Sequence, residues 1–245
     1  MSYNDRFLDA LGRWQRGWRR DPVVRGSVAQ DLLDQIEHLP AYVREHDGTP
    51  LYRKRNLYRS EDQKELAPLF VAGRLDEGSP TSWSTSVQFA ENFGPPFDDT
   101  DPSSTAGAIF KHVPQPSEVI LNIPRLWRDP EFVGAAESYR DRDGKESKAL
   151  FHFRNERDQF EVVLRAPLLR DEIYRLARFG SYEGIYEQLG AVDTESQLAV
   201  DDMLAAAKLD PLAPRYLTPD ATQRVIDTVF VALRARLRAI LDQKN

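Results

Sequence analysis

The chain has 245 residues, 41% of them hydrophobic and 29% charged, which suffices for one sizeable core and excludes a disordered segment. It contains no cysteine, which excludes disulfides, thiolate catalysis and thiolate metal sites, and its four histidines (His38, His46, His112, His152) show no HxxxH spacing, so no metal is expected. At a formal net charge of −6 it is not a general nucleic-acid coater, because phosphate binding rests on clustered Lys and Arg.

Residues 4–20 carry Phe7, Leu8, Leu11, Trp14 and Trp18 at three-to-four spacing, which predicts an amphipathic helix. A second helix is expected over 27–46, with Ser27 as its cap, Leu32, Leu33, Ile36 and Leu39 on one face, and Pro40 kinking or splitting it. His46-Asp47-Gly48 ends this region with a turn signal. Residues 50–53 read as a short strand, 60–72 as a helix stopped by Gly73, 80–86 as extended, and 87–93 as a short helix. The polar run 94–106 reads as loop, and 108–112, 118–123 and 159–164 as strands by their β-branched and apolar content. The charged run 138–148 reads as a surface loop. Thr218-Pro219-Asp220 is a capping residue followed by proline at the first helical position. Behind it Val225, Ile226, Val229, Phe230, Leu233, Leu237, Ile240 and Leu241 form an apolar stripe.

The expected organisation is a helical segment over 1–48, a β-rich core over 49–170 and a helical segment over 171–245. No repeat or low-complexity tract interrupts it. Apolar runs are short, as at Val162-Val163-Leu164, so neither a membrane span nor a membrane partner is expected. The first twenty residues lack the continuous apolar stretch of a secretory signal, so a cytoplasmic setting, in the producing or a target cell, is the expectation.

Three short motifs follow one another: Leu51-Tyr52-Arg53; Ser82-Trp83-Ser84, with Ala90-x-x-Phe93 behind it; and Gln159-Phe160-Glu161-Val162-Val163-Leu164. Singly, each has a bland reading: a surface ion pair, a turn with a packed tryptophan, a solvated strand edge. Jointly and in this order they resemble the Arg–Ser–Glu class of ADP-ribosyltransferases, the diphthamide-independent toxins and their phage and bacterial relatives. In that class an arginine sits on the first core strand, a Ser-x-Ser or Ser-x-Thr motif opens the second, a short helix ending Ala-x-x-Phe follows, and Glu-x-Glu or Gln-x-Glu starts a later strand. The resemblance covers about residues 49–169, including SEVILNIPRLW as the family's middle strand. Two departures stand out. Lys54 replaces the glycine often found after the motif arginine, and a second Leu-Tyr-Arg at 57–59 makes Arg59 an alternative to the preferred Arg53.

The resemblance implies an α+β fold of two packed antiparallel sheets around an NAD cleft, and transfer of ADP-ribose from NAD to a macromolecule. Breaking the nicotinamide–ribose bond builds positive charge on the ribose, which a fixed carboxylate stabilises; Glu161 takes that role. A guanidinium meets pyrophosphate oxygens bidentately, so Arg53 is the expected clamp. Ser82 and Ser84 would hold the ribose and order Glu161, and Trp83 or Phe93 would stack on nicotinamide or else belong to the core. Gln159, on the same strand face as Glu161 by alternation, would select the acceptor. Family members with Gln-x-Glu include enzymes acting on asparagine and others acting on guanine, whereas those with Glu-x-Glu usually modify arginine. The nearest upstream glutamate, Glu156, is five positions before Glu161. The acceptor is therefore expected to be a protein Asn/Gln-type side chain or a nucleic-acid guanine, with residues 140–157 and Phe151 or Phe153 selecting it. The setting implied is a toxin or phage-borne effector, with an antitoxin or immunity protein as partner. An NAD glycohydrolase and a non-catalytic binding module are the rival readings.

One further feature stands outside the motifs. Arg13, Arg16, Arg19, Arg20 and Arg25 interleave with Trp14 and Trp18. This is either a nucleic-acid contact, with arginine on phosphate and tryptophan on a base, or a helix whose tryptophans anchor it and whose arginines face water.

Overall fold

In the computed structural model, which describes residues 3–16, 22–58, 68–93, 104–140, 144–155, 160–178, 186, 189–207 and 215–242, the chain is α+β with antiparallel sheets. The helices are α1 (Asp5–Arg16), α2 (Pro22–Ile36), α3 (Val87–Asn92), α4 (Ile123–Leu126), α5 (Pro130–Arg140), α6 (Lys145–Asn155), α7 (Thr194–Ala206) and α8 (Pro219–Asp242). The strands are β1 (Leu51–Tyr58), β2 (Arg74–Leu75), β3 (Thr81–Ser84), β4 (Ser104–His112), β5 (Val119–Asn122), β6 (Glu161–Leu164), β7 (Leu168–Leu169), β8 (Ile173–Arg178) and β9 (Arg215–Tyr216).

The chain divides into two compact units that alternate along the sequence. The first comprises Met1–Arg53, Asp76–Ala90 and Lys111–Pro167; the second comprises Lys54–Leu75, Glu91–Phe110 and Leu168–Asn245. The N-terminal helices thus belong to the same unit as Arg53, Ser82-Trp83-Ser84 and Glu161.

In the first unit, α1 forms for the reason its spacing suggests. Asn4 caps it, its Oδ1 accepting from the Phe7 backbone N–H at 3.0 Å. Phe7, Leu8, Leu11 and Trp14 then share one buried face. Burial of each such side chain contributes about 1.5–3 kcal/mol, so this face is the main reason the helix stays docked. It joins Leu32 and Ile36 of α2, Leu121 of β5, Phe132 of α5, Leu150 of α6 and Val163 of β6 in one core. The strands of this unit run in the order β5-β6-β3-β1, with Ser84 opposite Glu161 across β3–β6 and Tyr52 opposite Ser84 across β1–β3. Tyr3 and Tyr42 both donate to the Asp129 carboxylate, the former at 2.5 Å, and the other oxygen of Asp129 accepts from the Glu131 N–H at 2.8 Å. The chain's start is thereby tied to the first turn of α5.

In the second unit β4, β8 and β9 pair antiparallel in that order, and β2 pairs with β7. Thr218 caps α8, accepting from the Ala221 N–H at 3.3 Å, with Pro219 as its first residue. Thr222, fully enclosed, accepts from the Leu176 N–H of β8 at 3.0 Å. Lys54 donates to the carbonyls of Glu91 (3.4 Å) and Phe93 (3.1 Å), and burial pushes its ammonium down to about 8.

Several local expectations are corrected. The second helix begins at Pro22, so Ser27 lies inside it and is not its cap, and it ends at Ile36, before a 3-10 turn at Ala41–Arg44 that follows Pro40. β4 begins at Ser104, inside the stretch expected to be loop. The charged run before β6 is helical in α5 up to Arg140 and again in α6 from Lys145, because Ser147, Leu150 and Phe151 bury a face that its charges obscure in the sequence. On α8, Ile226 is buried but Val225 and Val229 are 41% and 39% exposed, so the apolar stripe is only partly covered. Of the helix expected over 60–72, residues 60–67 lie outside the described residues; Pro68–Ala72 is a short π-helical turn, and Gly73 follows at φ 79°, where glycine is unstrained.

Candidate functional site

Arg53, Ser82 and Glu161 come from three different strands of the first unit, and the sheet brings them into one chain of contacts. Arg53 Nη1 donates to the Ser82 carbonyl at 3.0 Å. The Ser82 hydroxyl donates to Glu161 Oε1. In register Ser82 faces Val163, so its bond to Glu161 is a diagonal one, the reach that side chains two positions off the cross-strand partner retain. Ser84, directly opposite Glu161, is buried, and its Oγ accepts from the Ser86 N–H at 3.0 Å, bracing the turn into α3.

Glu161 is enclosed, at 3% exposure. Burial raises its pKa, while the Ser82 hydroxyl, the Trp14 indole, the Gln15 amide and the charge of Arg53 oppose the rise without cancelling it. Trp14 Nε1 donates to the same Oε1 at 2.7 Å. Gln15, also nine-tenths buried, favours the charged form with its amide, while its own Oε1 is enclosed without a hydrogen-bond partner.

Arg53 is held from its other side. Glu77, in the turn before β3, has a carboxylate 3% exposed and lies 3.0 Å from Arg53 Nη2; Arg25 of α2 lies 3.8 Å from the same carboxylate. Two guanidiniums around one buried carboxylate leave Arg53 oriented toward the Ser82 carbonyl.

Immediately before Glu161, Phe160 adopts φ 43°, the left-handed region, at a cost of roughly 1–2 kcal/mol for a residue with a side chain. Its carbonyl accepts from the Thr85 N–H at 3.4 Å, and its ring is 48% exposed. Among the described residues, strand β6 starts at Glu161. The alternation that put Gln159 beside Glu161 needs an extended backbone at Phe160, which is not there. Gln159 itself lies outside the described residues, as does Arg59.

The remaining site candidates separate. Trp83 points to the opposite face of β3, at 1% exposure, its indole donating to Thr81 Oγ1 at 3.0 Å and its ring centroid 5.5 Å from that of His112. It is a core residue and offers no ring face for stacking. Phe93 belongs to the second unit and is 44% exposed, so the core alternative does not hold for it. Phe151 is buried against Trp127, with ring centroids 5.6 Å apart, and is not a surface recognition aromatic; the side chain of Phe153 lies outside the description.

Of the basic N-terminal stretch, Arg13 pairs with Asp31 at 3.3 Å and Arg16 with Glu146 at 2.9 Å, while Trp14 is enclosed on Glu161; Trp18, Arg19 and Arg20 lie outside the described residues. A cavity of about 210 Å³ lined by Arg6, Asp9, Arg13, Asp31, Asp34 and Gln35 opens on α1 and α2, and it contains no motif residue. Among the described residues no group of three or more His, Asp or Glu side chains is placed to hold a metal, and no helix is long and apolar enough to cross a membrane.

Trp14, Gln15 and Glu77 are the site residues that sequence reasoning missed. Trp14 carried a signal only as one of two tryptophans on a helix face, and Glu77 carried none. No protein-family model, curated protein or solved structure matches the chain.

Proposed function

We propose that the protein is a mono-ADP-ribosyltransferase that cleaves NAD at the nicotinamide–ribose bond and transfers ADP-ribose to a macromolecular acceptor. The observation that carries this reading is the contact chain Arg53–Ser82–Glu161, which joins residues 108 positions apart through one backbone and one side-chain hydrogen bond. A chance match of three short motifs gives no reason for these residues to be joined by hydrogen bonds.

The C1′–nitrogen bond breaks with its electron pair leaving on nicotinamide. The resulting oxocarbenium-like ribose is stabilised by ionised Glu161 and captured by a nucleophile of the acceptor, which loses its proton. Glu161 is held on one oxygen by Ser82 and Trp14. That is the preorganisation such a charge needs, because the oriented groups reorganise little as the charge develops. Arg53 serves the NAD pyrophosphate, which then takes over the place of Glu77 on its guanidinium. The acceptor class, an Asn/Gln-type protein side chain or a guanine, rests on the sequence resemblance of Gln159-x-Glu161 alone. A toxin or phage-borne effector role, with an antitoxin or immunity protein as partner, belongs to the same proposal.

Radiolabelled NAD, incubated with the protein and a bacterial lysate fractionated into protein and nucleic acid, tests this. Label in one fraction, absent with Glu161→Ala, supports the transferase and names the acceptor class. Nicotinamide release with no label in either fraction would make the protein an NAD glycohydrolase, and no consumption of NAD would leave a binding module.

A further inference from the structure

The N-terminal helix carries none of the three motifs, yet it supplies a nitrogen donor to Glu161. Trp14 Nε1 lies 2.7 Å from Glu161 Oε1, and both residues are enclosed, at 2% and 3% exposure. An indole N–H can only donate, so its direction is fixed by the ring, and the ring is clamped by the core around α1. A hydroxyl can rotate; this donor cannot. A hydrogen bond to a carboxylate is also roughly twice as strong as one between neutral groups. Among the described residues, the groups that act most on Glu161 are Trp14 and Gln15 from α1, Ser82 from β3 and Arg53 from β1; of these four Arg53 is the charged one, and it is shared with Glu77.

We infer that Trp14 is a positioning residue for Glu161: its N–H fixes one carboxylate oxygen, in the plane set by α1, so that the other is presented to the reacting ribose. The kinetic part of this inference rests on the transferase reading; the hydrogen bond and its effect on the carboxylate do not. It makes α1 part of the site and not an appendage to the core.

The test uses the full chain with Trp14→Phe, which keeps an aromatic ring and deletes the donor. A second variant carries benzothienylalanine at position 14, a near-isostere in which sulfur replaces the N–H, so that loss of packing is controlled. Two readouts are taken: the titration of Glu161 by carboxyl 13C NMR, assigned by comparison with Glu161→Gln, and NAD turnover as a function of pH. The Glu161 midpoint should rise in both variants, because a donor to the charged form has been removed. The acid limb of the rate should move up with it. At the optimum kcat should fall on the order of tenfold to a hundredfold, the scale for losing a donor that holds a reacting group, with KM for NAD changed by less than about twofold.

An unmoved midpoint in the isosteric variant overturns the inference, as does faster turnover, which would mean that Trp14 shields the carboxylate. If the unmodified protein consumes no NAD, the transferase reading fails, and the Glu161 titration alone then decides the role of Trp14.

Discussion

Gly12 of α1 lies against the backbone of Glu146 at the start of α6, so closely that a Cβ on Gly12 would come within 2.6 Å of the Glu146 carbonyl oxygen. Glycine in a helix interior costs about 1 kcal/mol relative to alanine, and here that cost permits the close approach of two helices. The obstacle is backbone, which cannot swing aside as a flexible side-chain end would. Gly12→Ala should therefore destabilise the protein by about 1–3 kcal/mol despite the gain in helix propensity. Urea denaturation of the pair measures this, and a neutral or stabilised variant would show that α1 and α6 do not approach as described.

Glu161→Gln should raise stability at neutral pH. The folded-state pKa of Glu161 is raised above its unfolded value, chiefly by burial, so the folded protein binds the proton more tightly. Stability linked to this group is therefore present at low pH and lost as pH rises from the unfolded value near 4.5 through the folded one. Glutamine resembles the neutral acid, so the variant should melt higher than the parent near pH 7, with the difference closing below about pH 4.5. Equal melting temperatures across that window would argue that the carboxylate is not enclosed.

Arg53 and Glu77 form an ion pair whose side chains are 13% and 3% exposed. Removing one member of a buried pair costs about 3–5 kcal/mol, because the other is left charged without its partner. Arg53→Gln still leaves Arg25 3.8 Å from Glu77, which puts the expected loss at the lower end of that range. Arg53→Gln together with Glu77→Gln should recover at least half of it. A double-mutant cycle measures the coupling, and additive losses would mean that the two residues do not interact.

Lys54 offers a pH signature of the second unit. Burial lowers its pKa to about 8, below the unfolded 10.5. The unfolded chain then binds the proton more tightly, so stability rises as pH climbs from about 8 toward 10.5. The stability difference between the parent and Lys54→Met should shift in the parent's favour across that interval and stay flat between pH 6 and pH 7. A difference that stays constant through pH 8–10.5 would indicate a solvated lysine.

Periodicity and turn chemistry are local properties, and what depends on them was legible. The face of Phe7, Leu8, Leu11 and Trp14 made α1 a helix before any partner was known, and Thr218-Pro219 marked the start of α8. The extended character of Ser82-Trp83-Ser84, the helix behind it and the strand ending in Leu164 were legible for the same reason. The order of the three motifs also suggested that Arg53, Ser82 and Glu161 should converge; the Arg53 guanidinium reaches the Ser82 carbonyl and the Ser82 hydroxyl reaches Glu161.

What remained illegible depends on which surfaces come together. Trp14 has the same helical phase signal as any core tryptophan, and only the docking of α1 on α2 and α6 turns its N–H onto Glu161. Glu77 lies in an irregular turn with no period to read, and becomes a site residue because the β1–β3 pairing delivers Arg53 to it. α6 was hidden because its charges outnumber the few side chains it buries, and burial is decided by the facing helix rather than by composition. The pattern of apolar and polar residues thus determined the elements with a clear local period or cap, α1 and α8 among them, and the residue identities alone set the motif order. The state of its central carboxylate, enclosed and held by a helix nearly 150 residues upstream, was decided only in the tertiary structure, where burial and hydrogen bonding act through space.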